Sequence, residues 1–268
     1  MPALSTFTDM MQREIKVTEN PQRIVSLVPS QTELLFDLGV GERVVGITNF
    51  CVHPKEKVKT ITKIGGTKNF KFDKIRELKP DLIIGNKEEN YKEGIKQLAA
   101  EFPVWMSDIE NLEQALKMIT EAGRLVGAKN RATEIKSKIE AGFSALTAQK
   151  TGTAAYFIWR KPYMAAGKNT FINDMLSKAG FVNVFEEEAS RYPEITLEML
   201  QTAKPDFVLL SSEPYPFSEK HFAEFKELLP DAKIAVVDGE MFSWYGSRLM
   251  HTPKYLKELV LDLNLKLK

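Results

Sequence analysis

Short runs of apolar, β-branched residues recur along the chain and alternate with stretches whose apolar positions fall at helical spacing. RIVSLV (23–28), RVVGIT (43–48), DLIIG (81–85) and PVWM (103–106) occupy the first half. AAYFIW (154–159), VNVF (182–185), DFVLL (206–210) and KIAVV (233–237) occupy the second. Four and four strand-length runs, separated by helix-like stretches, predict parallel sheets in two α/β lobes. Residues 111–150 read as a helical region between them. There Ala132, Ile135, Ile139, Phe143 and Leu146 share one face at the 3.6 period, and Gly123 and Gly127 mark a break before it. The division is an extension (1–22), a first lobe (23–110), the linking region (111–150) and a second lobe (151–268).

The halves echo each other. FDKIRELKPDLII (72–84) aligns without gaps on LEMLQTAKPDFVL (197–209): an acidic residue, a helical pattern, Lys-Pro-Asp, then a buried strand. Lys-Pro-Asp is also a common turn, since proline stops a helix. In both halves, however, an earlier strand leads to a helix ended by glycine, at Gly39 and at Gly180. Two similar lobes account for both observations.

A net charge of +1, with both signs interspersed, gives no nucleic-acid footprint. One cysteine excludes an internal disulfide framework. No run is long and apolar enough to span a bilayer, and residues 1–24 lack the apolar core of a secretory signal. The expectation from these residues alone is a soluble, unexported protein, and the expected state is a monomer.

The candidate chemistry is sparse. Ser30 and Glu33 form an S-x-x-E pattern at a predicted helix start, which reads as a capping box, and the G-x-S-x-G elbow of a serine nucleophile is absent. AAGKNT (165–170) lacks the first glycine and the hydroxyl residue of a phosphate loop. The tryptophans Trp105, Trp159 and Trp244 fall at or just past predicted strand ends, with Tyr163, Tyr192, Tyr215, Phe242 and Tyr245 in similar connections. Open parallel sheets bind ligands outside those ends, so these aromatics are candidates to line a cleft. Arg160, Lys161, Lys168, Arg191 and Arg248 lie among them.

FCVHP (50–54) holds the single cysteine and one of three histidines, with Cys51 and His53 at i, i+2. A structural zinc site needs four ligands and wider spacing within a close pair. A Cys–His nucleophile needs a hydrogen-bonded pair and an orienting third group. The favoured account is a buried, inert Cys51 beside a ligand-facing His53, whose imidazole packs on a ligand or fills an open metal position. Metal binding by His53 and Cys51 stays open.

RIVSLVPSQTELLFDLG, VVGIT, GG, LKPDLII, KPDFVLL and, late in the chain, GSRL follow the order seen in solute-binding proteins of ABC importers. Within that family the sequence resembles the subclass in which a single long helix joins the lobes, and most resembles its cobalamin-binding members. The resemblance runs from about Arg23 to near the C-terminus. It implies two Rossmann-like lobes joined by a rigid helix, a ligand cleft between them, no bond chemistry and no required cofactor. The ligand it implies is a corrinoid first, then haem or a ferric siderophore. Carried over by position, the ligand-binding candidates are His53, Trp159, Arg160, Tyr192, Glu213, Ser243, Trp244, Tyr245 and Arg248. His53 falls where the cobalamin relatives carry an aromatic contact, and Asn86 stands where they tend to have an aromatic residue. Asp73 and Glu198, equivalent in the repeat, are expected in the first turns of their helices, where acids complement the dipole. The resemblance adds docking to a membrane permease as a role for both. It also implies a periplasmic location, against which the missing signal sets one alternative and the Cys51–His53 pair another. One is an intracellular carrier or sensor of the same fold; the other is an enzyme using Cys51 and His53.

Overall fold

Each of the eight apolar runs forms a strand. The computed structural model describes residues 4–146 and 150–265, which fall into two units. The first takes the residues up to Ile109, then Glu113–Lys138 and Tyr245–Arg248. The second takes Glu110–Leu112, Ile139–Trp244 and the segment from Leu249.

The first unit opens with an antiparallel hairpin of β1 (Leu4–Thr8) and β2 (Glu14–Thr18). Its turn is tied down by Asp9, whose buried carboxylate accepts from the Arg13 guanidinium at 2.9 and 2.6 Å and from the backbone N–H groups of Met11 and Arg13. Then follow β3 (Ile24–Ser26), α1 (Pro29–Asp37), β4 (Val44–Ile47), β5 (Thr62–Lys63), the short pair β6 (Gly65–Gly66) and β7 (Asn69–Phe70), α2 (Phe72–Leu78), β8 (Leu82–Asn86), α3 (Lys92–Ala99) and β9 (Val104–Ser107). The parallel sheet has the order β5-β4-β3-β8-β9. β8 is buried at every position, as a strand covered on both faces must be. Met10 donates its N–H to the Met106 carbonyl and Arg13 donates to that of Val104, so residues read as an extension are fastened to β9.

The linking region is two helices, α4 (Leu112–Leu125) and α5 (Lys129–Ser144). The break falls at Gly127, which holds φ +74°, a conformation that suits glycine. Gly123 lies inside α4 instead. A Cβ there would stand 2.2 Å from that of Ala132, so the glycine serves close helix packing. Ala132, Ile135, Ile139 and Phe143 are buried along α5, whereas Leu146 lies past its end and is half-buried. The chain passes from the first unit to the second within α5.

The second unit contains β10 (Gly152–Trp159), β11 (Met164–Ala165), α6 (Phe171–Lys178), β12 (Phe181–Asn183), α7 (Leu197–Ala203), β13 (Phe207–Ser211), α8 (Phe222–Leu228), β14 (Lys233–Val237), α9 (Gly239–Ser243) and α10 (Thr252–Leu265). β12, β13 and β14 run parallel to β10, in the order β12-β10-β13-β14, and β11 pairs antiparallel with the end of β10. This repeats the β4-β3-β8-β9 order of the first unit. The Lys-Pro-Asp echo has the same physics in both. α2 and α7 each have seven residues and end on a lysine in the left-handed region, Lys79 at φ +45° and Lys204 at φ +42°. The aspartates then reach across to the neighbouring strand. Asp81 accepts from the N–H groups of Gln22 and Arg23 ahead of β3, and Asp206 from the N–H and hydroxyl of Thr153 in β10. Those bonds hold the Asp206 carboxyl below the usual carboxylate range.

Candidate functional site

In a parallel sheet the strands end on one side, so the loops that follow them gather along one edge. In the second unit that edge carries Trp159, the last residue of β10, which is 41% exposed and meets the Tyr215 ring edge-on at 5.8 Å. The next residue, Arg160, donates to both carboxylate oxygens of Glu224 on α8, at 3.1 and 2.6 Å, and the Tyr163 hydroxyl donates to the same group. These partners, Arg160 first, hold the Glu224 carboxyl below its ordinary range. Arg160 is thus half of an ion pair that fixes the β10–β11 turn.

On the loop after β13, Glu213 accepts from the Trp244 indole N–H at 2.8 Å and from the Ser243 hydroxyl at 3.1 Å, both at Oε1. Gly239 makes room, since a Cβ there would stand 2.5 Å from the Glu213 Cγ. Burial pushes the Glu213 carboxyl up, Glu240 and Asp238 add to that, and the two hydrogen bonds oppose it. Glu213, Ser243 and Trp244 are thereby brought together, with Trp244 almost wholly buried. Tyr192 is half-buried in the connection before α7, where its N–H donates to the Ser190 hydroxyl.

In the first unit the loop after β4 is FCVHP. Cys51 points inward, its sulfur 3.1 Å from the Thr32 hydroxyl and 3.2 Å from that of Thr48. Burial pushes its thiol up, the opposite of what a thiolate nucleophile requires. His53 is half-buried. The outward residues are Phe50, 60% exposed, and Val52. Sequence reasoning passed over both in favour of their reactive neighbours, although alternation along an extended segment pairs them on the face opposite Cys51. Asn86, at the end of β8, is buried and shapes its own loop by accepting from the N–H groups of Glu88 and Glu89.

The capping box expected of Ser30 and Glu33 does not form. Pro29 opens α1 one residue earlier, so Val28 is the cap residue and makes no side-chain capping bond. The Ser30 hydroxyl is buried without a partner. Glu33, more than a turn further on, accepts from Arg248 at 2.9 and 2.7 Å. The segment bearing Arg248 sits close against α1, because Gly246 has no Cβ where one would lie 2.5 Å from the Ser30 carbonyl oxygen. Tyr245, beside it, is buried.

Two aromatics expected at the strand ends belong to the core. Trp105 is 1% exposed inside β9, whose strand continues two residues past it. Phe242 is fully buried, its ring 5.0 Å from that of Tyr156. Asp73 and Glu198 lie in the first turns of α2 and α7, both exposed, with Asp73 paired to Arg76 at 2.9 Å. Among the described residues no three His, Cys, Asp or Glu side chains gather to hold a metal ion, and no helix is long and apolar enough to cross a membrane.

Residues 24–230 match the family profile described as periplasmic binding protein. An uncharacterized ABC transporter substrate-binding lipoprotein, YvrC of Bacillus subtilis (strain 168), is 29% identical over 95% of this chain and 85% of its own. A vitamin B12-binding protein of Vibrio campbellii is 25% identical over 78% of this chain and 77% of its own. Among solved structures, the periplasmic heme-binding protein RhuT from Roseiflexus sp. RS-1 superposes with a TM-score of 0.78 at 23% identity, over 90% of this chain and 97% of that one.

Proposed function

We propose that this chain, which belongs to the periplasmic binding protein family, captures a flat metal chelate, a corrinoid before haem or a ferric siderophore, and delivers it to an ABC permease outside the cytoplasm. The observation that carries the reading is the exposed Trp159 ring, edge-on to Tyr215, at the strand-end edge of the second unit. Exposed rings of this size at ligand-binding edges are what a stacking site presents. The sequence relatives support it, since the Vibrio campbellii protein is named for vitamin B12 and YvrC for substrate binding in an ABC transporter. Trp159 and Tyr192 are the ligand contacts proposed in the second unit, and His53 and Phe50 those proposed in the first. Glu213 and Ser243 hold Trp244, and Arg248 fixes the Tyr245-bearing segment to α1. His53 can pack on the chelate or fill an open position on its metal. Asp73 and Glu198 are the proposed permease contacts. Such a protein binds and releases without bond chemistry.

Calorimetry and visible spectra against cyanocobalamin, cobinamide, haemin and a ferric hydroxamate test the reading. A saturable, one-to-one isotherm with a corrinoid is the expected result. Absence of heat and of tryptophan quenching with all four ligands overturns it.

A further inference from the structure

We infer that the site selects an uncharged or cationic chelate and discriminates against chelates bearing free carboxylates. The inference rests on the proposed ligand class and narrows it.

A guanidinium is the side chain that recognises carboxylate or phosphate through two parallel hydrogen bonds. Two arginines stand among the candidate ligand contacts, and each spends that fork on a carboxylate of its own unit. Arg160 is bonded to Glu224 through Nε and Nη2, and Arg248 to Glu33 through the same two atoms. The Arg248–Glu33 pair is largely shielded from water, at 11% and 16% side-chain exposure, and the Arg160–Glu224 pair partly so, at 22% and 35%. A ligand anion would have to displace a carboxylate already held at hydrogen-bond distance and leave it unpaired in a partly dry environment. Arg191 faces Glu110 at 3.8 Å, so it too has an acid nearby.

The acids of the same edge point the same way. Glu213 on the loop after β13, with Asp238 and Glu240 at the start of α9, puts three carboxyl groups where β13 and β14 end. Lys161, exposed in the β10–β11 turn, is a solvated point charge and offers no bidentate fork. The edge of the second unit therefore offers a ligand an aromatic surface, a neutralised Arg160 and three acids.

The test compares ligands that differ in charge and share a ring. Cyanocobalamin is titrated beside derivatives whose peripheral amides are hydrolysed to carboxylates, with haemin as a second carboxylate-bearing ring. The wild-type protein is expected to bind the neutral corrin at least tenfold more tightly than its carboxylate forms. Glu224→Gln, which frees Arg160, should narrow that ratio by roughly tenfold. The double variant Arg160→Met/Glu224→Gln should keep the wild-type ratio, because the pair it removes carries no net charge. It also separates the charge effect from any loosening of the turn. Equal or tighter binding of the carboxylate forms by the wild type overturns the inference, as does a ratio that Glu224→Gln leaves unchanged. Failure to bind any corrin or haemin is a different result, and it removes the ligand class together with the inference.

Discussion

Glu213 and Glu33 are half-buried carboxylates, both pushed above their ordinary range chiefly by desolvation. Glu213 accepts neutral hydrogen bonds from Trp244 and Ser243. Its folded state retains a proton that the unfolded chain has already lost, so its contribution is fully favourable below the unfolded value and declines as pH rises through the folded one. Glu213→Gln keeps an acceptor for the indole and removes that penalty. Its stability at pH 7 should exceed the wild type's by on the order of 1 kcal/mol, read as a higher thermal midpoint, and the difference should vanish near pH 4. A midpoint below the wild type's at pH 7 would show that the carboxylate stabilises the cluster. The rings make a separate claim. Phe50→Ala and Trp159→Ala should each weaken corrinoid binding by roughly 1–3 kcal/mol while Cys51→Ser changes it little, and unaltered isotherms for both ring variants would move the ligand elsewhere.

At the scale of elements, the sequence was most informative where burial is continuous. All eight apolar runs became strands; β3, β8, β9 and β13 are buried at every position, as a parallel sheet covered on both faces requires, whereas β12 and β14 are only partly covered. The Lys-Pro-Asp echo was legible as a repeat, but its cause lay out of reach, since it rests on long-range bonds from Asp81 to Gln22 and Arg23 and from Asp206 to Thr153. The N-terminal hairpin escaped notice for a similar reason. Its anchor is the buried Asp9 carboxylate, which holds Arg13 against β9, rather than an apolar run. The capping box failed because Pro29 is itself a helix opener and shifted the start. Site pairs such as Glu33–Arg248, 215 residues apart, leave no local signature at all. The repeat makes its own prediction. Lys79 and Lys204 hold left-handed conformations that suit glycine better than lysine. Lys204→Gly should therefore stabilise by about 0.5–1 kcal/mol, a rise of about 2 °C in Tm, and Lys79→Gly should do the same. Opposite signs at the two positions would show that the echo is not a shared structural solution.

For the whole molecule, delivery to a permease requires a surface that is independent of ligand capture. Asp73 and Glu198 suit that role because they occupy equivalent places in the repeat, one on each unit, and both are exposed. Helix-dipole stabilisation explains an acid in a first turn and is worth about 0.3–1 kcal/mol, but it does not require the side chain to stand clear of its surroundings. The Asp73 side chain is 92% exposed even while paired with Arg76, and Arg76 also donates to Glu101 through two bonds, so its fork is chiefly occupied elsewhere. Glu198 follows Leu197, which is 53% exposed, giving α7 an apolar and acidic start open to a partner. Complementary charge at such sites acts mainly on encounter and specificity. The double reversal Asp73→Lys/Glu198→Lys should therefore leave the corrinoid isotherm within twofold of the wild type and lower Tm by only a few degrees. In vesicles carrying the reconstituted importer, the same protein should fail to stimulate ATP hydrolysis or uptake, and raising the salt should weaken stimulation by the wild type. Single reversals should fall between, since either unit retains one contact. Full stimulation by the double variant would reduce both acids to helix caps and place the docking surface on other residues.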